Sequence, residues 1–136
     1  MTRIKFVDKK HEWFYTNMMR EVGKNDSYHR ALFYTLGISG DTRNHLRDLY
    51  DFVEDCIKPE GLYVSWQTGG SRRVTRLAFN LWNGWVEEKG ESLSTPYNLF
   101  DCDHGVYFLE ALRLKYPDYC LKDKWRGEPA EERVGR

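Results

Sequence analysis

The sequence predicts a mainly α fold. We expect one compact domain of about five helices around a central buried helix at residues 72–83, with two short strands at 3–7 and 62–66. Three observations predict it. Apolar residues recur at helical period in several stretches, most strongly at Val74, Leu77, Ala78, Leu81 and Trp85. Capping residues precede these stretches and glycines follow them. The chain has 136 residues, 40% hydrophobic and 31% charged, which suits one domain burying about two thirds of its unfolded surface with no disulfide or metal staple.

Residues 3–7 alternate weakly and read as a short strand. Asp8 caps a first helix over 9–22, whose apolar residues are Trp13, Phe14, Tyr15, Met18, Met19 and Val22, and Gly23 ends it. His11 falls in its first turn and reads as a solvated side chain. Asn25-Asp26-Ser27 caps a second helix over 28–36. Gly37 takes its C′ position, with Ile38 folding back on Phe33 as in a Schellman motif. His29 is not expected to bind metal, because zinc needs four clustered donors. Asp41 caps a third helix over 42–53, with Leu46, Leu49, Tyr50 and Val53 on one face and Arg43, Arg47, Asp48 and Asp51 on the other. Pro59-Glu60-Gly61 is a turn signal. Leu62, Val64 and Trp66 then alternate with Tyr63 and Ser65, a second short strand that could pair with the first.

After the central helix, Gly84 is a C′ stop and residues 87–92 read as an exposed polar loop. Pro96 disfavours helix at Thr95, and Tyr97, Leu99 and Phe100 read as a buried connector. Asp101 or Asp103 caps a last helix over 104–116, which Pro117 stops. The domain is therefore 1–120. Residues 121–136 are charged, with Trp125 as their main apolar anchor, and read as a tail that is mobile or loosely docked.

One local rule is broken. The N-terminus of a helix carries partial positive charge and favours acids. The central helix instead starts after Gly69 and Gly70 with Ser71 as its N-cap, then Arg72 and Arg73, with Arg76 one turn on. Between Gly61 and Val86 there is no Asp or Glu. Free backbone N–H groups and three guanidiniums suit a phosphate, a carboxylate or an acidic partner surface. The plainer reading pairs the arginines with the chain's own acids, Asp48, Asp51, Glu54, Asp55 and Glu60. The stretch is neither a Walker loop nor G-x-G-x-x-G.

Composition narrows function without naming it. The formal net charge is zero, against the basic excess usual in nucleic-acid binders. No apolar run approaches membrane-spanning length. The N-terminal Met-Thr-Arg-Ile-Lys-Phe has no hydrophobic signal region. Cys56, Cys102 and Cys120 lack C-x-x-C spacing and read as reduced thiols of a cytoplasmic protein. Aromatics reach 15%, filling the core and favouring binding hot spots. Cys102 and His104 do not make a convincing nucleophile and base. Residues two apart on a helix face different ways, and flanking aspartates raise a thiol pKa.

Several segments resemble a family of small uncharacterised proteins of Gram-positive gut bacteria, their prophages and conjugative elements. They are Asn25-Asp26-Ser27-Tyr28-His29-Arg30-Ala31, Cys56-Ile57-Lys58-Pro59-Glu60-Gly61, Trp66-Gln67-Thr68-Gly69, Arg76-Leu77-Ala78-Phe79-Asn80-Leu81-Trp82-Asn83-Gly84, Ser94-Thr95-Pro96-Tyr97-Asn98-Leu99-Phe100-Asp101-Cys102 and Lys115-Tyr116-Pro117-Asp118-Tyr119-Cys120. The resemblance spans roughly residues 1–120. It implies a mobile-element setting, which favours small inhibitors and adaptors, and it brings no established activity and no catalytic residues to carry over.

We therefore expect a non-catalytic interaction protein with no cofactor, no metal and no membrane segment, binding a protein partner. The expected contact surface is Trp66, Gln67, Gly69, Gly70, Ser71, Arg72, Arg73, Arg76 and Asn80. The alternative is a nucleic-acid or nucleotide binder that uses the same arginines on phosphates, with Trp66 or Tyr63 stacked on a base. A Cys/His-dependent enzyme is the remote third reading.

Overall fold

The computed structural model describes residues 3–120; the expected tail at 121–136 lies outside them. Helix α1 (Lys9–Val22) starts at Asp8, whose carboxylate accepts from the His11 N–H, and stops at left-handed Gly23. Helix α2 (Ser27–Leu36) is capped by Asp26 in the same way. Both follow the sequence expectation. Gly37, however, has φ −80°, so no Schellman motif forms. Its need for glycine is steric, since a Cβ there would stand 2.7 Å from His11 and 2.9 Å from Phe14.

The third expected helix breaks early. Helix α3 spans only Gly40–Asn44, capped by Ser39 rather than Asp41. A 3₁₀ turn (Leu46–Asp48) follows, then an antiparallel pair of two-residue strands, β1 (Tyr50–Asp51) and β2 (Cys56–Ile57). The Asp51 carboxylate accepts from the N–H groups of Val53 and Glu54, which competes with helix continuation. Asp55 then takes the left-handed φ of 57° that closes the hairpin. Leu49 and Tyr50 are buried as the periodicity implied, while Val53 is 89% exposed at the hairpin tip.

The two strands expected at 3–7 and 62–66 are absent. Side chains from three helices hold residues 3–7 in place of a partner strand. The Lys5 N–H donates to Glu110, the Val7 N–H donates to His11, and the Tyr34 hydroxyl donates to the Lys5 carbonyl. Pro59–Tyr63 is a 3₁₀ helix with Pro59 at its start. Gly61 passes so close to the Asp48 backbone that a Cβ would lie 2.1 Å from that carbonyl oxygen.

Helix α4 (Gly69–Asn83) is the expected central helix, started three residues early by Thr68 and stopped by left-handed Gly84. It packs on α2, α3 and, later in the chain, α6 (Gly105–Lys115). It shares the centre with α2, which is buried without interruption from Ala31 to Leu36 and packs against α1, α4 and α6. Thr95 stays extended, as its place before Pro96 implies, and Pro96 itself opens the four-residue helix α5 (Pro96–Leu99), because its missing N–H is no loss at a first helical position. Leu99 is buried there, but Tyr97 is 88% exposed, not part of a buried connector. A last short helix, α7 (Pro117–Cys120), follows α6.

Candidate functional site

The mouth of α4 is built differently from the sequence expectation. Thr68, not Ser71, is the N-cap. Its Oγ1 accepts from the Ser71 N–H at 3.1 Å, and Ser71 Oγ accepts from the Thr68 N–H at 2.7 Å, a reciprocal capping box. Gly69 and Gly70 are the first two residues of the helix and are exposed. Ser71 is buried, and its hydroxyl donates to Gln67 Oε1 at 2.6 Å. Gln67 is buried too, its amide donating to the Gly61 carbonyl and to Thr75. These two side chains therefore lock α4 to the preceding 3₁₀ helix.

The three arginines diverge. Arg76 is held by Glu87 at 2.6 Å, with both side chains largely covered. Glu87 also accepts from the Tyr63 hydroxyl at 2.9 Å. Burial pushes the Glu87 carboxyl up, but Arg76 and Tyr63 outweigh it and hold the group below its ordinary value. The partner acid is thus Glu87, placed by sequence in an exposed loop, and none of the five acids upstream. Arg72 donates through Nε to the Leu62 carbonyl at 3.1 Å, and Arg73 through Nη1 to the Asp101 carbonyl at 2.8 Å. Both are half-buried, and each spends a donor on backbone rather than on a carboxylate. Asn80, one turn before the helix stop, donates to the Trp85 carbonyl at 3.3 Å.

Of the expected contact residues, Gly69, Gly70 and Arg73 come together around a concavity of about 280 Å³ that Cys102, Asp103 and His104 complete. A guanidinium and a helix start face this space and favour a small anion, while the Asp103 carboxylate opposes one. Trp66 stands apart from it. Its ring stacks on His45 at 4.3 Å, and its Nε1 donates to Asp48 at 2.8 Å.

The sequence reading missed a larger surface feature. Trp13 is 68% exposed on the outer face of α1. It borders two adjoining concavities between α1 and α3. One, of about 440 Å³, runs over Met18, His45, Arg47 and Phe52; the other, of about 470 Å³, runs over Lys9, Lys10, Arg43 and Asn44. The helical wheel carried the signal. Trp13 has Lys9, Lys10, Thr16 and Asn17 as its neighbours three and four residues away, so it falls on the polar face of α1 while Phe14 and Tyr15 turn inward.

A second missed cluster centres on His29, which is only 4% exposed. Its Nδ1 lies 2.9 Å from Asp26 and its Nε2 lies 2.8 Å from Asp55. Each ring nitrogen thus faces a carboxylate. Asp55 also accepts from Lys24 at 2.9 Å and from the Tyr50 hydroxyl. Burial pushes the Asp55 carboxyl up, yet the donors Tyr50, Lys24 and His29 prevail and bring it down to about 2. The carboxylates sit at opposite edges of the ring, so the cluster ties α2 to the hairpin. Among the described residues no group of three or more His, Cys, Asp or Glu side chains is placed to hold a metal ion, and no helix is long and apolar enough to cross a membrane.

A family model described as "Family of unknown function (DUF6075)" matches residues 1–128. No curated protein and no solved structure matches the chain.

Proposed function

The chain belongs to the Family of unknown function (DUF6075), and from that premise we propose that it is a non-catalytic interaction protein that binds a protein partner. The observation that supports this is Trp13, a large aromatic left 68% exposed over an apolar groove with arginines at its edge. Tryptophan and arginine are the residues most enriched at binding hot spots. The proposed contact surface centres on Trp13 and crosses the His45–Trp66 stack toward Arg72 and Arg73 at the mouth of α4. The setting we propose, a mobile element of a Gram-positive gut bacterium and a cytoplasmic location, rests on the resemblance of the quoted segments and on reduced thiols.

A nucleotide or nucleic-acid phosphate at the concavity of Gly69, Gly70, Arg73 and His104 is the second reading, favoured by the shape and guanidinium found there. One experiment separates the two. The full chain is used to capture partners from its host, with and without nuclease, beside Trp13→Ala and the double variant Arg72→Ala with Arg73→Ala. A protein retained after nuclease and lost with Trp13→Ala is the expected result. Capture that disappears on nuclease treatment, and that weakens steeply with salt, would replace the first reading with the second.

A further inference from the structure

Resting on the Trp13 surface proposed above, we infer that its Lys9–Lys10–Arg43 end accepts an acidic peptide segment of the partner, anchored by a large apolar side chain beside Trp13. The concavity of about 470 Å³ is lined by Lys9, Lys10, Trp13, Phe14, Arg43 and Asn44: three cations, two aromatics and no acid. Its volume falls in the range of about 300–1,000 Å³ usual for ligand sites. Among the described residues none of the three cations makes an ion pair. Arg43 spends one nitrogen on the Gly37 carbonyl at 2.7 Å, which fixes its guanidinium at the groove wall.

The two lysines are placed against local electrostatics. They are the first two residues of α1, where the helix end is already electropositive and acids are the stabilising choice. Among the described residues no carboxylate forms an ion pair with them, so their charge is open to a partner. Nearby acids are otherwise placed. Asp8 caps the helix through the His11 N–H, and Asp48 is engaged by Trp66. The positive field is also short. Glu21 and Asp48 line the adjoining groove, and Glu12 flanks Trp13 on the other side. A nucleic-acid tract needs a continuous row of phosphate contacts. A few carboxylates around one apolar anchor match a patch of this extent.

Short random peptides displayed against the immobilised full chain test this. The expected pool is rich in Asp and Glu around a Leu, Phe or Trp, and binds Trp13→Ala at least about tenfold more weakly. The double charge reversal Lys9→Glu with Lys10→Glu, at two exposed positions, should turn the selection toward basic peptides. Thermal unfolding of both variants should show that they remain folded. A pool that needs Trp13 but is not acidic, or that is unmoved by the charge reversal, overturns the inference and leaves the Trp13 surface standing. Enrichment that ignores Trp13→Ala, or no enrichment at all, overturns both. A random single-stranded oligonucleotide that binds more tightly than every enriched peptide, and is lost on the charge reversal, assigns the lysines to phosphate instead.

Discussion

His11 shows how far one side chain can depart from its local reading. It lies in the first turn of α1, yet it is fully buried between α1 and α2. Its Nδ1 accepts from the Val7 N–H and its Nε2 donates to the Tyr34 carbonyl at 2.8 Å, which requires the neutral ring. Burial is the main reason its pKa is lowered from 6.5 to about 4; the Tyr34 carbonyl and Asp8 oppose the shift, while Arg43 adds to it. The unfolded chain takes up the proton first as pH falls. Stability from this group is therefore intact above pH 6.5 and is lost between 6.5 and about 4, amounting to roughly 3 kcal/mol at the lower limit. Urea unfolding across that window should show the decline, and His11→Gln should flatten it. Arg76 makes the converse point, as a charge inside a pair. Arg76→Ala leaves Glu87 covered and half-satisfied, and should cost about 3 kcal/mol in urea unfolding. The double change Arg72→Ala with Arg73→Ala removes only bonds to carbonyls and should cost less.

At the scale of elements, close approach rather than dihedral preference decides which glycines matter. Gly37 has an ordinary φ, but α1 crosses it so tightly that a methyl group would meet His11 and Phe14 below 3.0 Å. Gly23 has a left-handed φ of 70° and open space around it. Gly37→Ala should therefore destabilise by about 3 kcal/mol through the α1–α2 contact, and Gly23→Ala by about 1 kcal/mol through backbone strain. Thermal melts of the two variants would reveal a reversed order if dihedral strain dominated.

Among the described residues the four longer helices form most of the core, and the hairpin adds Tyr50 and Ile57 to it and is tied by polar contacts as well. Asp55 is its main polar tie, reaching His29 on α2, Lys24 beyond α1 and Tyr50 within the hairpin. With the folded pKa depressed from 3.8 to about 2, its contribution is present above pH 3.8 and fades as pH falls toward 2. Asp55→Asn tolerates the left-handed backbone but removes the charge facing His29. It should cost about 2 kcal/mol near neutral pH and speed amide exchange in residues 50–57 more than in α4. Uniform exchange changes would show that the hairpin and the helical core open together.

How much was legible in the chain depended on the range of the interaction. The boundaries of α1, the cap of α2, the centrality of α4 and its stop at Gly84 follow from caps, periodicity and glycine, all set within a few residues. The third helix failed after Asn44, where the His45 ring engages the Asp41 carbonyl and the His45 N–H turns to Thr42, and Asp51 later offers the Val53 and Glu54 N–H groups a nearer acceptor than a helix would. The strand expected at 3–7 failed because Glu110 and Tyr34, far away in sequence, and the nearby His11 satisfied its backbone groups instead, and the one expected at 62–66 gave way to the 3₁₀ helix that Pro59 starts. The same separation governs the candidate sites. Trp13's exposure was written in its polar helical neighbours. The pairing of Arg76 with Glu87, the burial of Gln67, and the meeting of His29 with Asp55 were not. The sequence by itself determined the helical class and most helix ends, because capping and amphipathicity are local. Only the tertiary structure decided which charges stay open to a partner, because that depends on which carbonyls and carboxylates distant segments bring within reach.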